Sequence, residues 1–428
     1  NDQFRASSGG ASVPSVTIDN GQSNINFYYY DEVASGGVTI TASDDIPADG
    51  AIGIVDATDT IAVLSLSATH FVVTSADYTP DVGTPFNVTI SAKDNYGNTD
   101  DINYNPAGKT FSFSGPGNAP NGAPVYPGNA AIISAFSGGA ATVSVTLVKA
   151  ETVNLDITDG AIDSTGNTAW DADLTVNPSA TATALKVASS TATPTAGTPF
   201  TVTITAIDNY GNTIPSFNPG GGSFYFSGPA DALDLTQPSY PSNAAIIAAF
   251  SQGVTQPLTI TLYKAEVVDL EIFEEIIYDI SSLGNPDFDA GLTVAPAQAV
   301  ELAVSTSSFS VTAGATAGAV TLQAKDAYGN VDTNNAGTVN LAKTTGTAGT
   351  MKFYPTVELA GADLYTGTPN VLVGNGSDAA LELAAGTLNF WFRDTQVSNP
   401  THTITATLAS QTSLQTSDAG AGDTPNAG

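Results

Sequence analysis

The 428-residue sequence has no cysteine, which excludes disulfides, thiolate nucleophiles and thiolate-bound metals and leaves burial as the source of stability. Cations are almost as scarce: ten Lys+Arg stand against 41 Asp+Glu, a formal charge of −31. Binding a phosphate backbone needs clustered cations to displace counterions, so nucleic acid is excluded as a partner. There are two histidines, His70 and His402, both in strand-like segments (THFVV and THTIT) with no Ser/Asp arrangement beside them. Glu274 and Glu275 are adjacent, so on a strand they face opposite ways and cannot flank one glycosidic bond. Gly220–Gly222 lacks the lysine and following helix of a phosphate loop. No apolar run reaches membrane-spanning length, and no segment has helical periodicity. The N-terminal NDQFRASSGGASV lacks the basic and apolar regions of a signal peptide, so either a signal has been removed or the chain is a portion of a longer one. What remains is an acidic all-β chain without an evident catalytic site. The acidic balance reads as a solvated, self-repelling surface or as one for divalent cations.

A repeated phrase fills the gap. Val88–Asn98 reads VTISAKDNYGN, Val202–Asn212 reads VTITAIDNYGN and Val320–Asn330 reads VTLQAKDAYGN, spaced 114 and 118 residues apart (202 − 88 and 320 − 202). That period is too long for a solenoid and suits one β-sandwich domain. Further pieces recur between the first two copies: TPFNVTI and TPFTVTI, FSFSGP and FYFSGP, NAAII twice, TLVKAE and TLYKAE, ADLTVNP and AGLTVAP. Each reads as a strand or a turn, giving about seven strands per unit. The expected division is an incomplete unit over 1–66, sandwich domains over 67–181 and 182–297, a diverged one over 298–412, and a polar tail over 413–428. The joints SATATAL and PAQAVEL lack the Gly/Ser character of flexible tethers, so the domains are expected to stack as a semi-rigid rod.

The first 66 residues match only the second half of a domain. NFYYYDEVASGGVTITAS resembles NFWFRDTQVSNPTHTITAT near the end of the chain, and VTITASDD at Val38 aligns with VNLDITDG at Val153. Half a sandwich exposes its core face and its strand edges. One face of Phe27, Tyr28, Tyr29, Tyr30, Val38 and Ile40 is therefore expected to be buried by strands from outside residues 1–66, supplied by a neighbouring subunit or by an upstream part of the polypeptide. The tail has no bulky apolar residue after Leu414, making it a poor donor, and its composition reads as disordered.

Two groups of residues are candidate sites. In the turns Asp94–Gly97–Asn98, Asp208–Gly211–Asn212 and Asp326–Gly329–Asn330, the aspartate caps local backbone, the tyrosine packs over the turn, the glycine supplies positive φ, and the asparagine tolerates the left-handed region. The competing reading makes Asp94, Asn98, Asp100 and Asp101 ligands for Ca²⁺, but Ile214 stands where a repeat of Asp100 would be. The loops DSTGNTAWDADL and SSLGNPDFDAGL set Asp163, Asp171, Asp173 and Asp289 beside an anchoring Trp170 or Phe288. They are either a Ca²⁺ site at a domain joint or solvated acidic loops; no other cofactor is called for. Asn87-Val-Thr and Asn375-Gly-Ser match the N-glycosylation pattern, the first inside a predicted strand and the second in a turn.

The pattern VTxxAxDxxGN, followed by an FSFSG-type strand and then TVSVTLVKAETV, resembles the bacterial Ig-like repeats of the invasin and intimin type and of prokaryotic surface-layer proteins. The resemblance covers most of residues 67–412. It implies tandem Ig-like β-sandwiches at an extracellular cell surface, and a cysteine-free array fits a prokaryotic surface better than an animal secreted protein. The expected role is that of a structural subunit of a surface layer or filament that self-associates; the alternatives are an adhesin, a carbohydrate-binding array or the accessory region of an extracellular enzyme.

Overall fold

The computed structural model describes residues 3–46, 48, 50, 53–304, 311–312, 319–343, 352–354, 371–372, 381–393, 404–408, 411–417 and 425–426. Two compact units emerge, Asn1–Thr181 with Ile207–Ile214, and Ala182–Ala206 with Pro215–Gly428. Among the described residues no helix is long and apolar enough to cross a membrane.

The first unit contains β1 (Gln3–Arg5), β2 (Tyr28–Tyr30), β3 (Ser35–Ala42), β4 (Ala57–Val63), β5 (His70–Ser75), β6 (Phe86–Lys93), β7 (Ser112–Ser114), α1 (Asn129–Ala135), β8 (Ala140–Val145), β9 (Glu151–Thr158) and β10 (Ala172–Val176). Strict alternation builds β6: Phe86, Val88, Ile90 and Ala92 point inward and are buried, while Asn87 points out. Antiparallel sheets β5-β6-β8 and β10-β9-β7 close over one contiguous core of Phe71, Val88, Ile90, Leu155, Ile157 and Leu174. Each such fully buried side chain contributes about 1.5–3 kcal/mol relative to exposure.

The second unit opens with the same plan: β11 (Ala184–Ser189), β12 (Phe200–Ile207), β13 (Phe224–Ser227), α2 (Asn243–Ala249), β14 (Phe250–Ser251), β15 (Val254–Thr255), β16 (Leu258–Ile260), β17 (Val267–Glu274), β18 (Ile280–Ser281) and β19 (Ala290–Thr293). Farther along, Glu301–Val304, Val320–Lys325, Thr387–Arg393 and Lys352–Tyr354 form a second sandwich sheet in that order. Its core includes Leu322, Val339, Leu341, Tyr354, Phe390 and Phe392. Gln411–Ser417 pairs antiparallel with Ile404–Leu408, so the first residues of the expected polar tail form a strand. Main-chain pairing needs no apolar side chain, which is why composition did not reveal it.

NAAII corrects another expectation. It is a helix in both copies, α1 and α2, rather than a strand or turn. Seven residues are too few to display a 3.6-residue period; alanine favours the helix, and one isoleucine in each, Ile132 or Ile246, is buried. The leading asparagine ties the helix to its sheet, Asn129 Oδ1 accepting from Phe111 N–H and Asn243 Oδ1 from Phe224 N–H, both at 2.8 Å.

In the N-terminal segment β3 pairs β4 with Val38 opposite Ile61, as Val153 pairs Leu174 in β9–β10 and Val268 pairs Leu292 in β17–β19. The segment is thus the same half of a sandwich, with one extra residue absorbed by a register shift between Ser35 and Val38, where Gly36 and Gly37 lie. The partner of Tyr28–Tyr30, however, is not external: β1 pairs with β2 and sets Phe4 opposite Tyr29. Phe86 opposite Val145 and Phe200 opposite Ile260 hold the same place in the later sandwiches. Three residues at the N-terminus therefore stand in for the TPF strand, with Phe4 packed against Phe27 and Tyr29 at centroid separations of 5.7 and 5.5 Å. Cover is still incomplete: Phe27 and Tyr28 are exposed, Val38 and Ile40 only half-buried, and no described residue before Ser65 is buried.

Candidate functional site

The repeated turn is a clasp. In each copy the aspartate is buried, with Asp94, Asp208 and Asp326 exposed by 0, 1 and 2 %. One carboxylate oxygen of each closes its own turn. Asp94 Oδ1 accepts from the N–H groups of Tyr96 and Asn98, Asp208 Oδ1 from Tyr210 and Asn212, and Asp326 Oδ1 from Tyr328 and Asn330, all at 2.9 Å. The other oxygen reaches the chain entering the sandwich: Leu66 N–H donates to Asp94 at 3.0 Å, Ser179 N–H to Asp208 at 3.2 Å and Ala297 N–H to Asp326 at 2.9 Å. Gly97, Gly211 and Gly329 hold φ of 86, 83 and 85°, where a side chain would be strained.

The asparagines do something the turn does not need. None has positive φ, so the expected left-handed role does not apply. Instead each side-chain amide pairs with the main chain of a connection between two strands that precedes it by more than 60 residues. Asn98 Nδ2 donates to Glu32 C=O at 2.8 Å and its Oδ1 accepts from Ala34 N–H at 2.9 Å. Asn212 takes Val148 C=O and Ala150 N–H at 2.8 and 2.9 Å, and Asn330 takes Tyr263 C=O and Ala265 N–H at 2.7 and 2.8 Å. The same Nδ2 also donates to its own aspartate at 3.0, 3.0 and 2.9 Å, which fixes the amide's orientation. The tyrosines add packing: the Tyr210 ring lies over Gly83, leaving no room there for a Cβ, and Tyr328 lies over Gly197 in the same way. Tyr30 and Tyr96 bring their hydroxyls within 3.3 Å.

Spacing alone did not reveal these partners. The available signal was the recurrence of Lys-Ala-Glu in TLVKAE and TLYKAE, whose alanine is the residue clasped. The same motif supplies ion pairs at the joint, Lys149–Glu151 at 2.6 Å and Lys264–Glu266 at 2.8 Å. Asp100 and Asp332 lengthen two of the clasps, accepting from Ala68 N–H at 2.8 Å and Ala299 N–H at 3.0 Å. At the third, Ile214 is buried instead.

The acidic loops are arranged differently. Asp163 is exposed and caps Thr165 N–H at 2.9 Å. Asp171 Oδ2 accepts from Asn154 Nδ2 at 2.9 Å, while its Oδ1 and that of Asp289 are buried without a partner. Asp173 is exposed, on the β10 face opposite Leu174. Trp170 stacks on His70 at 3.8 Å, and burial pulls the His70 pKa down. Among the described residues no group of three or more His, Asp or Glu is arranged to hold a metal ion. Asn87 is exposed on β6; Asn375 and His402 lie outside the described residues.

Burial, aided by the charges of Asp171 and Asp163, pushes the Asp156 carboxyl up, against a hydrogen bond from Ser164 Oγ at 2.9 Å. A raised carboxyl pKa means that ionisation costs stability; the cost is absent below the unfolded value and complete above the folded one. Asp156→Asn, which keeps an acceptor for Ser164, should therefore raise the melting temperature at pH 7. That gain should vanish as the pH falls below about 4, the ordinary carboxylate value, in a thermal melt series.

No protein-family model and no curated protein matches the chain. Solved structures similar to it include the Escherichia coli adhesin FdeC, at 18 % identity over 82 % of this chain and 96 % of that one with a TM-score of 0.32. The Yersinia pseudotuberculosis protein InvD aligns at 16 % identity over 82 and 97 % of the two chains with a TM-score of 0.28. Domains 1–6 of the surface layer protein SbsC align at 15 % identity over 97 % of this chain and 49 % of that one, with a TM-score of 0.22. Likeness of this degree carries no weight for function, and the fold rests on the strand pairings above. By those pairings the chain is an all-β array of tandem Ig-like β-sandwiches, similar to bacterial adhesins and surface-layer proteins.

Proposed function

We propose that this protein is a non-enzymatic structural subunit of a prokaryotic extracellular assembly, a surface layer or a filament, acting through domain–domain and subunit–subunit contacts. The observation that carries the reading is the use made of the repeated motif: all three Asp/Asn turns grip main chain of a preceding segment, so the sequence feature repeated most closely serves joints rather than a ligand. The contacts between subunits are assigned to residues 1–66, whose exposed Phe27, Tyr28 and Val33 and two-stranded sheets need cover to be stable. Domains over 67–181, 182–297 and 298–412 follow this segment in the reading, the protein sits at the cell surface, and no cofactor is required.

Sedimentation velocity and electron microscopy over a concentration series test it. The 1–428 chain should associate and give ordered sheets or fibres, while a chain beginning at Ser67 should stay monomeric. A full chain that is monomeric at every concentration overturns the reading, as does a Ser67 chain that associates equally well. Isolated particles that bind a glycan or host surface would favour the adhesin alternative.

A further inference from the structure

The internal repeats define what the N-terminal segment lacks. In the later sandwiches the strand equivalent to β3 is paired on both edges. β9 carries β10 on one side and β7 on the other, with Phe113 opposite Ile157 and Ser114 opposite Asp156. β17 carries β19 and β13, with Phe226 opposite Ile272 and Ser227 opposite Glu271. Once the shared hairpin register (Val38, Val153 and Val268) is superposed, Ala42 corresponds to Ile157 and Ile272, and Thr41 to Asp156 and Glu271. Yet β3 pairs with β4 alone among the described residues. The edge that receives Phe-Ser-Phe-Ser in one sandwich and Phe-Tyr-Phe-Ser in the next is open. Burial agrees: Leu155 and Ile157 are fully buried, whereas their equivalents Ile40 and Ala42 are half-buried and exposed.

We infer that the open edge of β3, from Thr39 to Ser43, is an acceptor for an antiparallel strand of Phe-x-Phe-Ser-Gly type donated from outside residues 1–428, with its second phenylalanine opposite Ala42, its serine opposite Thr41, and its glycine over the Thr39 carbonyl. This rests on the assignment of residues 1–66 as the subunit contact. The glycine requirement comes from the templates. Gly115 and Gly228 both have φ of 102° and press on the carbonyls of Asn154 and Asp269, leaving no space for a Cβ; both carbonyls correspond to that of Thr39. The chain's own strands of this type are occupied by β9 and β17. Charge favours such a donor: residues 1–66 hold nine Asp/Glu and one Arg, whereas Lys109–Pro116, KTFSFSGP, has one lysine and no acid. A strand added this way gains main-chain hydrogen bonds for affinity, and its alternate side chains provide selectivity.

The probe is a fluorescently labelled peptide of residues 109–116 titrated into the full chain, read by anisotropy and by hydrogen exchange. Saturable binding is expected, with new protection at Thr39–Ala42. A peptide carrying Gly115→Val should bind at least about tenfold more weakly, and a chain beginning at Ser67 should not bind. Absence of binding overturns the inference, as do equal binding of the valine peptide, binding retained by the Ser67 chain, or protection of the same edge by a second copy with no competition from peptide. A chain that associates through its N-terminus without taking the peptide would leave the assembly reading standing and remove the strand acceptor. Peptide binding by a chain that never associates would do the reverse.

Discussion

Asp94→Ala should lower the stability of the first unit by about 3–4 kcal/mol, since it strips the buried acceptor from three partly buried backbone N–H groups and from one side-chain amide at once. The groups that lose this acceptor are the N–H of Leu66, Tyr96 and Asn98 and one of the two Nδ2 protons of Asn98, the other staying on Glu32 C=O. Asn98→Ala should cost less, about 2 kcal/mol, because it orphans only Glu32 C=O and Ala34 N–H. The two changes share a network, so the double variant should lose about 1 kcal/mol less than the sum. Denaturant melts, with hydrogen exchange at Ala34 and Leu66, would show this; full additivity would mean that the aspartate and the asparagine act separately. The loss depends on pH. Burial opposes ionisation of Asp94, but hydrogen bonds from the Asn98 side chain and from the N–H groups of Leu66, Asn98 and Tyr96 outweigh it and hold the carboxyl below its usual range. A lowered carboxyl pKa adds stability that is present above the unfolded value, near 4, and is lost as the pH falls through the folded one. The gap between wild type and Asp94→Ala should therefore be full at neutral pH and close only below about pH 4.

Gly115→Ala should be far more damaging than Gly97→Ala, although both glycines have positive φ. At Gly97, φ is 86° and nothing lies within 4 Å of a new Cβ, so the variant bears conformational strain alone, about 1–2 kcal/mol. At Gly115, φ is 102° and the Cβ would strike the Asn154 carbonyl of β9. Backbone of a central strand cannot move aside cheaply, so about 3 kcal/mol or more is expected, with loss of β7 from the sheet. Equal losses in thermal melts would mean that Gly115 does not press on the Asn154 carbonyl.

Period-two alternation exposes β6 and β12 in the sequence because half of each strand faces a core, and the Gly of each YGN turn is legible because few other residues accept its φ. Local signals of this sort carry a few residues at most. The helices α1 and α2 are seven residues each and keep only one isoleucine inward, which no periodicity test can register. β1 is three residues long and owes its existence to Tyr28–Tyr30, 25 residues away in register; nothing in QFR itself marks a strand. The asparagine clasp was hidden for a related reason. Its partners are main-chain atoms, which every residue possesses, so Glu32, Val148 and Tyr263 share a role without sharing a side chain. The acidic loops drew attention by composition, but composition does not say what carboxylates contact: Asp163 caps its own turn and Asp171 takes the Asn154 amide.

That the clasp reads only backbone has an evolutionary corollary. An interface written in side chains must change on both faces together, whereas an amide that grips one carbonyl and one N–H accepts any predecessor whose main chain follows the same course at that place. Glu32, Val148 and Tyr263, acidic, aliphatic and aromatic, are three such predecessors in one chain. A gene encoding this array could gain, lose or reorder whole domains by recombination with few compensating mutations, the glycine beneath the tyrosine, Gly83 or Gly197, being the residue that a new neighbour would have to keep.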